Sequence, residues 1–281
     1  MGMATEHEFP RKSELKNYKI VFSDLDGTIL DKKTYSYDRS LSAIHWLTEN
    51  KIPLIFCSAK TKAEMNLFRN NLEVKDPYIV ENGSAIIIPE GTFPLASEHL
   101  DVSTIKIGRE LREFRDGLKA VLESSDITYD SFEEMTNNDV SQYTGLNLEQ
   151  AALARKREYT TTLVFPSSEM LVKARTAIES IGLTCFSGGK TLTVGSGGNK
   201  GCAVRKLLGL YAQTFGNVVS YAFGDGENDI SMLNEVDFPI LVESSVGTWT
   251  NNNLQNIIKI ASVGPEGFAK GVELIVKRRT T

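Results

Sequence analysis

The stretch Tyr18-Lys-Ile-Val-Phe-Ser-Asp-Leu-Asp-Gly-Thr28 decides how this chain is read. Its β-branched and aromatic run predicts a buried strand, and Asp24-Leu-Asp-Gly ends that strand in a loop. Residues two apart in an extended chain point the same way, so Asp24 and Asp26 face one point above the strand's end. Gly27 allows a tight turn and Thr28 can hold the loop by hydrogen bonds. Two aspartates in a turn are ordinary by themselves. Their position matters more, because open α/β sheets bind ligands at the carboxyl ends of their strands.

Working outward, the chain alternates strand and helix signals. Ser40–Glu49 carries Leu41, Ile44 and Leu47 at helical spacing, and Ile52–Cys57 reads as a second buried strand. Thr61–Leu72 predicts a helix with Thr61 as N-cap and Glu64 three residues on, a capping box. Tyr78–Val80 and Ala85–Ile88 follow as strands. The alternation resumes late, with a helix at Lys200–Tyr211, a strand at Val218–Phe223, a helix at Glu227–Asn234, a strand at Phe238–Val242 and a helix at Gly264–Lys277. Such alternation predicts an α/β fold, a parallel sheet with helices on both faces.

Between Pro89 and Gly198 the pattern changes. Helices are expected at Ser103–Ser124, Asn147–Arg157 and Ser167–Ile181, interleaved with strands at Thr160–Phe165, Leu183–Ser187 and Thr191–Val194. About 110 residues is too long for a crossover within a compact domain, so an inserted α+β domain is expected. The expected division is a flexible arm at 1–16, an α/β core at 17–90 and 198–281, and the insertion at 91–197.

Composition narrows the function. In 281 residues, 31 Lys and Arg stand against 36 Asp and Glu, for a net charge of −5. That balance lacks the basic footprint of a nucleic-acid binder and disfavours anionic membrane surfaces. No apolar run is long enough to cross a membrane, and the polar N-terminal stretch lacks the apolar core of a signal peptide. Cys57, Cys185 and Cys202 are odd in number and far apart, which argues against a disulfide framework and for the reducing cytoplasm. His7, His45 and His99 are scattered, so no histidine-rich metal site is expected.

A second acidic cluster is Phe223-Gly-Asp-Gly-Glu-Asn-Asp229. Asp225 falls at a strand end, while Asn228 and Asp229 open a helix, whose N-terminus favours negative charge. Oxygen donors without His or Cys suit a hard cation, Mg²⁺ rather than zinc. Ser58 follows the second strand and leads into a helix start, a natural anion cradle. Lys200 begins the helix after the insertion. Gly188-Gly-Lys-Thr191 imitates the tail of a phosphate-binding loop, but Thr184 stands where its earlier glycine belongs. Gly195-Ser-Gly-Gly198 reads as a hinge or turn.

Taken in order, D-x-D-G-T, Ser58, Lys200 and G-D-x-x-N-D resemble the haloacid dehalogenase superfamily of phosphatases. That resemblance implies a Rossmann-like core with a mobile cap, and the position of the insertion resembles the large α+β caps (C2 type) of Cof-type sugar phosphatases. Phrases through core and insertion resemble the mannosyl-3-phosphoglycerate phosphatases: F-C-S-A-K-T (56–61), D-P-Y-I-V-E-N-G (76–83), R-E-Y (157–159), G-G-K (188–190) and N-K-G (199–201). One departure follows R-E-Y, where that family has an acidic residue and often a proline. This chain has Thr160-Thr161-Thr162, which bears on the choice of sugar.

The resemblance implies Mg²⁺ held by the Asp24 carboxylate, the Asp26 backbone carbonyl and the Asp225 carboxylate, with Asp229 close by or acting through water. Asp24 would be the nucleophile, Asp26 the general acid and base, and Ser58 and Lys200 the phosphate ligands. A phosphoglycerate carboxylate needs basic or N–H-rich partners, for which Lys60, Thr61, Arg157, Gly188, Gly189 and Lys190 are candidates. Glu81 and Asn82 are candidates for sugar hydroxyls, and Asn228 joins the substrate-binding set. A glucosyl-3-phosphoglycerate, a broader range of sugar phosphates, a phosphomutase reaction and a non-catalytic phosphosugar sensor stay open as alternatives. The expected partner is a small phosphosugar, with neither nucleic acid nor membrane, for a monomer or homodimer.

Overall fold

The computed structural model describes residues 17–93, 104–188, 191–245, 247, 249, 254 and 256–277. The expected arm at 1–16 lies outside the described residues. The larger sheet has eight strands in the order β12-β11-β10-β1-β2-β3-β4-β5. They are β1 (Tyr18–Ser23), β2 (Leu54–Cys57), β3 (Tyr78–Val80), β4 (Ala85–Ile87), β5 (Thr104–Lys106), β10 (Val218–Gly224), β11 (Phe238–Glu243) and β12 (Ile258–Val263). All neighbours from β12 to β3 run parallel, and β4 and β5 continue the edge antiparallel.

Period-two alternation splits the residues of this sheet between two cores. Val21, Leu54, Phe56, Tyr221 and Phe223 pack with α1 (Leu41–Glu49), α2 (Lys62–Asn71) and α9 (Gly264–Lys277). Ile20, Phe22, Ile55, Cys57 and Ala222 pack with α7 (Lys200–Phe215) and α8 (Ile230–Leu233). Both faces are covered, which is why Ile20–Phe22 of β1 and all of β2 read as continuous apolar runs. From β1 the chain steps to β2 on one side and returns to β10 on the other. That reversal opens a crevice at the carboxyl end of β1, the place where such sheets bind ligands.

A smaller antiparallel sheet, ordered β6-β7-β9-β8, lies between the two halves of the larger one in sequence. Its strands are β6 (Asp130–Ser131), β7 (Thr160–Val164), β8 (Thr184–Gly188) and β9 (Thr191–Gly195). Leu163, Leu192 and Val194 pack one face against α3 (Arg115–Ser124) and α6 (Ser168–Ser180). At the other face, Val164 packs with residues of α4 (Asn137–Thr144) and α5 (Leu148–Ala154).

Four local readings are corrected. Ser103–Ser124 is not one helix, because Thr104–Lys106 pairs with β4 and only Arg115–Ser124 is α-helical. Thr104-Ile-Lys-Ile alternates with a period of two, and Gly108 lies against the Ser196 carbonyl, where a Cβ would stand 2.7 Å from that oxygen. The α4 helix was not anticipated, although Thr136 and Asp139 form a capping box at its start. The β12 strand was not anticipated either; it is an edge strand whose one pairing is with β11, the strand before it in the chain. The expected helix Asn147–Arg157 stops at Ala154, which leaves Arg157 in the turn before β7.

Candidate active site

Three strand ends converge. Asp24 follows β1, Ser58 follows β2 and Asp225 follows β10, and all three side chains are buried. Asp24 is locked to its neighbour strand by its backbone N–H, which donates to Phe223 O at 2.9 Å. Gly27 turns the next loop with a φ of +86°, and a Cβ there would lie 2.4 Å from Asp225 Oδ2. Glycine is therefore required twice over, by conformation and by the close approach of a carboxylate.

Lys200, the first residue of α7, is almost fully buried and donates to both Asp24 Oδ1 and Asp229 Oδ1 at 2.7 Å. Burial opposes its charge, but Asp229 and Asp24 outweigh that and raise its pKa. Asp229 uses its other oxygen to accept from the N–H groups of Asp225 (3.1 Å) and Gly226 (3.0 Å). It thus shapes the Gly224–Asp229 turn while orienting Lys200. Burial pushes the Asp24 carboxyl up to about 8; Lys200 pulls it down, while Asp229, Asp26 and Asp225 push it further up. Burial likewise raises Asp225, reinforced by Asp229 and opposed by Lys32.

Carboxylate oxygens of Asp24, Asp225 and Asp229 all lie within 4.8 Å of one another. Three buried carboxylates face one buried ammonium, so a divalent cation would complete the charge balance. The all-oxygen donor set also fits a hard cation. A second lysine stands nearby, because Lys32 Nζ lies 3.1 Å from Asp225 Oδ2 with half of its side chain exposed. Nothing in the sequence distinguished Lys32 from Lys33 beside it; only the loop's path selects it.

Asp26 is partly exposed at the mouth of this cluster, 2.9 Å from Lys60 Nζ through Oδ1. Lys60 is buried, lies 3.9 Å from Glu64 Oε1, and sits over the rings of Tyr35 and Phe68. Burial opposes its charge, but Asp26 and Glu64 outweigh it and raise the pKa. Ser58 is fully buried, and its Oγ accepts from the Lys60 N–H at 3.3 Å.

The remaining candidates divide. Thr61 caps α2 as expected, with Oγ1 accepting from Glu64 N and donating to Leu153 O at 2.9 Å. Its hydroxyl is thus fully engaged in protein contacts. Glu81 is also engaged, because its carboxylate accepts from the N–H groups of Glu158, Tyr159 and Thr160 and from Thr160 Oγ1. Asn82 is buried with its Oδ1 unpartnered, and Asn228 is half-buried beside Asp229. Arg157 lies against the Ser58–Lys60 loop, with Nη1 3.4 Å from Ala59 O. Gly188 ends β8, while Gly189 and Lys190 lie outside the described residues.

A family model described as haloacid dehalogenase-like hydrolase matches residues 21–254. A glucosyl-3-phosphoglycerate/mannosyl-3-phosphoglycerate phosphatase of Methanococcoides burtonii is 35% identical over 259 residues, which cover 90% of this chain and 95% of the relative. A mannosyl-3-phosphoglycerate phosphatase of Pyrococcus furiosus is 32% identical, with 87% of this chain and 98% of the relative covered. The crystal structure of a haloacid dehalogenase-like hydrolase from Bacteroides thetaiotaomicron aligns with a TM-score of 0.66 at 18% identity, covering 92% of this chain and 100% of that one. That last likeness is one of fold.

Proposed function

Because this chain belongs to the haloacid dehalogenase-like hydrolases, we propose that it is a cytoplasmic, Mg²⁺-dependent phosphatase that cleaves the phosphate from mannosyl- or glucosyl-3-phosphoglycerate. The observation that carries the chemistry is Asp24, buried at the end of β1, held by Lys200 and facing the carboxylates of Asp225 and Asp229. The substrate reading rests on the relatives named for it and on the phrases 56–61, 76–83 and 157–159. Among the described residues no helix is long and apolar enough to cross a membrane. The reading takes the protein as a monomer or homodimer with a small phosphosugar as its partner.

In this reading the larger sheet with its helices is the catalytic core and the smaller sheet with its helices is the cap. This reading extends the core past the expected residue 90 to take in β5, which pairs with β4 in the larger sheet. Asp24, Asp225 and the Asp26 carbonyl would hold the cation, with Asp229 behind them. The cation would offset repulsion between the phosphate and the attacking carboxylate. An Asp24 oxygen attacks phosphorus as the bond to the leaving oxygen breaks, forming an aspartyl-phosphate. Asp26 is the acid–base residue in this reading and passes a proton to the departing glycerate oxygen. It then takes a proton from the water that attacks phosphorus, and the bond to Asp24 breaks to release inorganic phosphate. Ser58 and Lys200 bind the remaining phosphate oxygens. Lys60 lies on Asp26 and acts on the acid–base residue, a role beyond the substrate contact expected for it. Thr61 and Glu81, whose polar atoms are engaged within the protein, shape the cleft in this reading.

The test is phosphate release, with Mg²⁺, from mannosyl-3-phosphoglycerate, glucosyl-3-phosphoglycerate and sucrose-6-phosphate side by side. A strong preference for the phosphoglycerates supports the reading. Weak, even activity on all three rejects the substrate and leaves the phosphatase chemistry standing.

A further inference from the structure

Beyond β3 the chain turns through Glu81 and Asn82, both left-handed, with φ of +49° and +58°. Left-handed backbone at residues other than glycine is strained and persists only where the surroundings over-determine it. The contacts here do so. Asn82 N donates to Ser58 O at 2.9 Å and Glu81 N to Lys60 O at 3.0 Å, tying the turn to the loop after β2. The Glu81 carboxylate points the other way, into the start of β7. It accepts from Glu158 N (2.9 Å), Tyr159 N (3.1 Å), Thr160 N (2.7 Å) and Thr160 Oγ1 (2.6 Å).

The network continues. Having given its proton to Glu81, Thr160 Oγ1 accepts from Arg157 Nη1 at 2.8 Å. The same nitrogen reaches Ala59 O at 3.4 Å. Glu81, Thr160 and Arg157 therefore close a ring back onto the Ser58–Lys60 loop. Arg157 Nε is buried and has no partner. With Nη1 tied back, the guanidinium edge carrying Nε and Nη2 has no partner among the described residues, and its parallel donors match a carboxylate. Two other described candidates are engaged: Lys60 by Asp26 and Glu64, Thr61 by Leu153 and Glu64.

We propose that Arg157 binds the glycerate carboxylate of the substrate, held in place by Thr160 and Glu81, and so makes the enzyme prefer phosphoglycerates to phosphate esters that lack the acid. The inference rests on the reading that puts the phosphate at Ser58 and Lys200. In a 3-phosphoglycerate the carboxylate carbon is two bonds from the carbon bearing the phosphate, which suits a guanidinium set against the residue after Ser58.

Two probes separate the carboxylate from everything else. D-3-Phosphoglycerate and glycerol 3-phosphate share a skeleton and a phosphate and differ in the carboxylate. Their affinities are measured by calorimetry, with Mg²⁺, in an Asp24→Asn background that blocks turnover. The parent should prefer phosphoglycerate by ~10–100-fold, the range of a charge-assisted bidentate contact. Arg157→Gln should bring that ratio to about one while glycerol 3-phosphate binds within about threefold of the parent. Arg157→Lys should keep part of the preference, and Thr160→Val, with the arginine present but unheld, should fall between. An unchanged ratio in Arg157→Gln, or equal loss for both probes, overturns the proposal. So does a parent without preference. None of these results depends on which glycosyl group is hydrolysed, so failure of the substrate reading is seen separately, in the phosphate-release comparison.

Discussion

Asp24 and Lys200 are 176 residues apart in the chain and meet at 2.7 Å between Oδ1 and Nζ, both buried. This contact joins the end of β1 to the start of α7, and the same ammonium holds Asp229. Removing it leaves two buried carboxylates with no cation between them. Lys200→Met should therefore destabilise the cation-free protein by about 3–5 kcal/mol, as for other broken buried pairs. Denaturant unfolding without divalent ions checks this, and a loss under about 1 kcal/mol would show that the pair is not what holds this junction.

Asp24→Asn should lower phosphate release by at least about 10³-fold, because an amide cannot form the acyl-phosphate. The variant should also fail to retain label when quenched with ³²P-labelled substrate. Substantial residual turnover removes the nucleophile assignment.

Cation binding should depend on pH. The Asp24 carboxyl is raised by burial from its ordinary 3.8 to about 8. The folded state then keeps a proton that the unfolded state releases near pH 4. In the cation-free protein that contribution to stability is full below about pH 4 and is lost as pH rises toward 8. A cation needs the ionised form, so its affinity should climb between pH 6 and 8, by at most about tenfold per unit. The shift in melting temperature on adding Mg²⁺ should accordingly be larger at pH 8 than at pH 6. A shift independent of pH contradicts the buried, proton-competent state of Asp24.

Lys32 would compete with a cation for Asp225, since its Nζ lies 3.1 Å from Oδ2. Lys32→Ala should tighten Mg²⁺ binding about threefold to tenfold at low ionic strength, with the gain shrinking as salt screens the half-exposed charge. Titration of the cation against activity measures it. Weaker binding in the variant would mean that Lys32 supports the site.

Gly83 carries a φ of +92°, and a Cβ on it would come 2.1 Å from Asn199 O. Both the conformation and the backbone contact exclude a side chain. Gly83→Ala should cost more than about 2 kcal/mol, above the usual range for a strained glycine alone. Thermal unfolding measures it, and Gly91→Ala is the control, since its φ is also positive but nothing lies within 4 Å.

The sequence by itself determined where the candidate residues fall along the sheet. Predominantly apolar strand signals before Asp24, Ser58 and Asp225 put those residues at strand ends, because β-strand signals and the turns that stop them are local. The capping box at Thr61 and Glu64 was legible for the same reason: the residues that hydrogen-bond are three apart. Tertiary structure decided the rest. β5 and β12 find their partners only at the edges of a sheet built from distant segments, so short alternations at Thr104–Lys106 and Ile258–Val263 carry little signal of their own. The pairing of Lys60 with Asp26, of Lys32 with Asp225, and of Glu81 with Thr160 spans 34, 193 and 79 residues. Spacing in the chain does not encode such contacts. They exist because the sheet brings those loops to one crevice, and because a charge taken out of water there must find a partner.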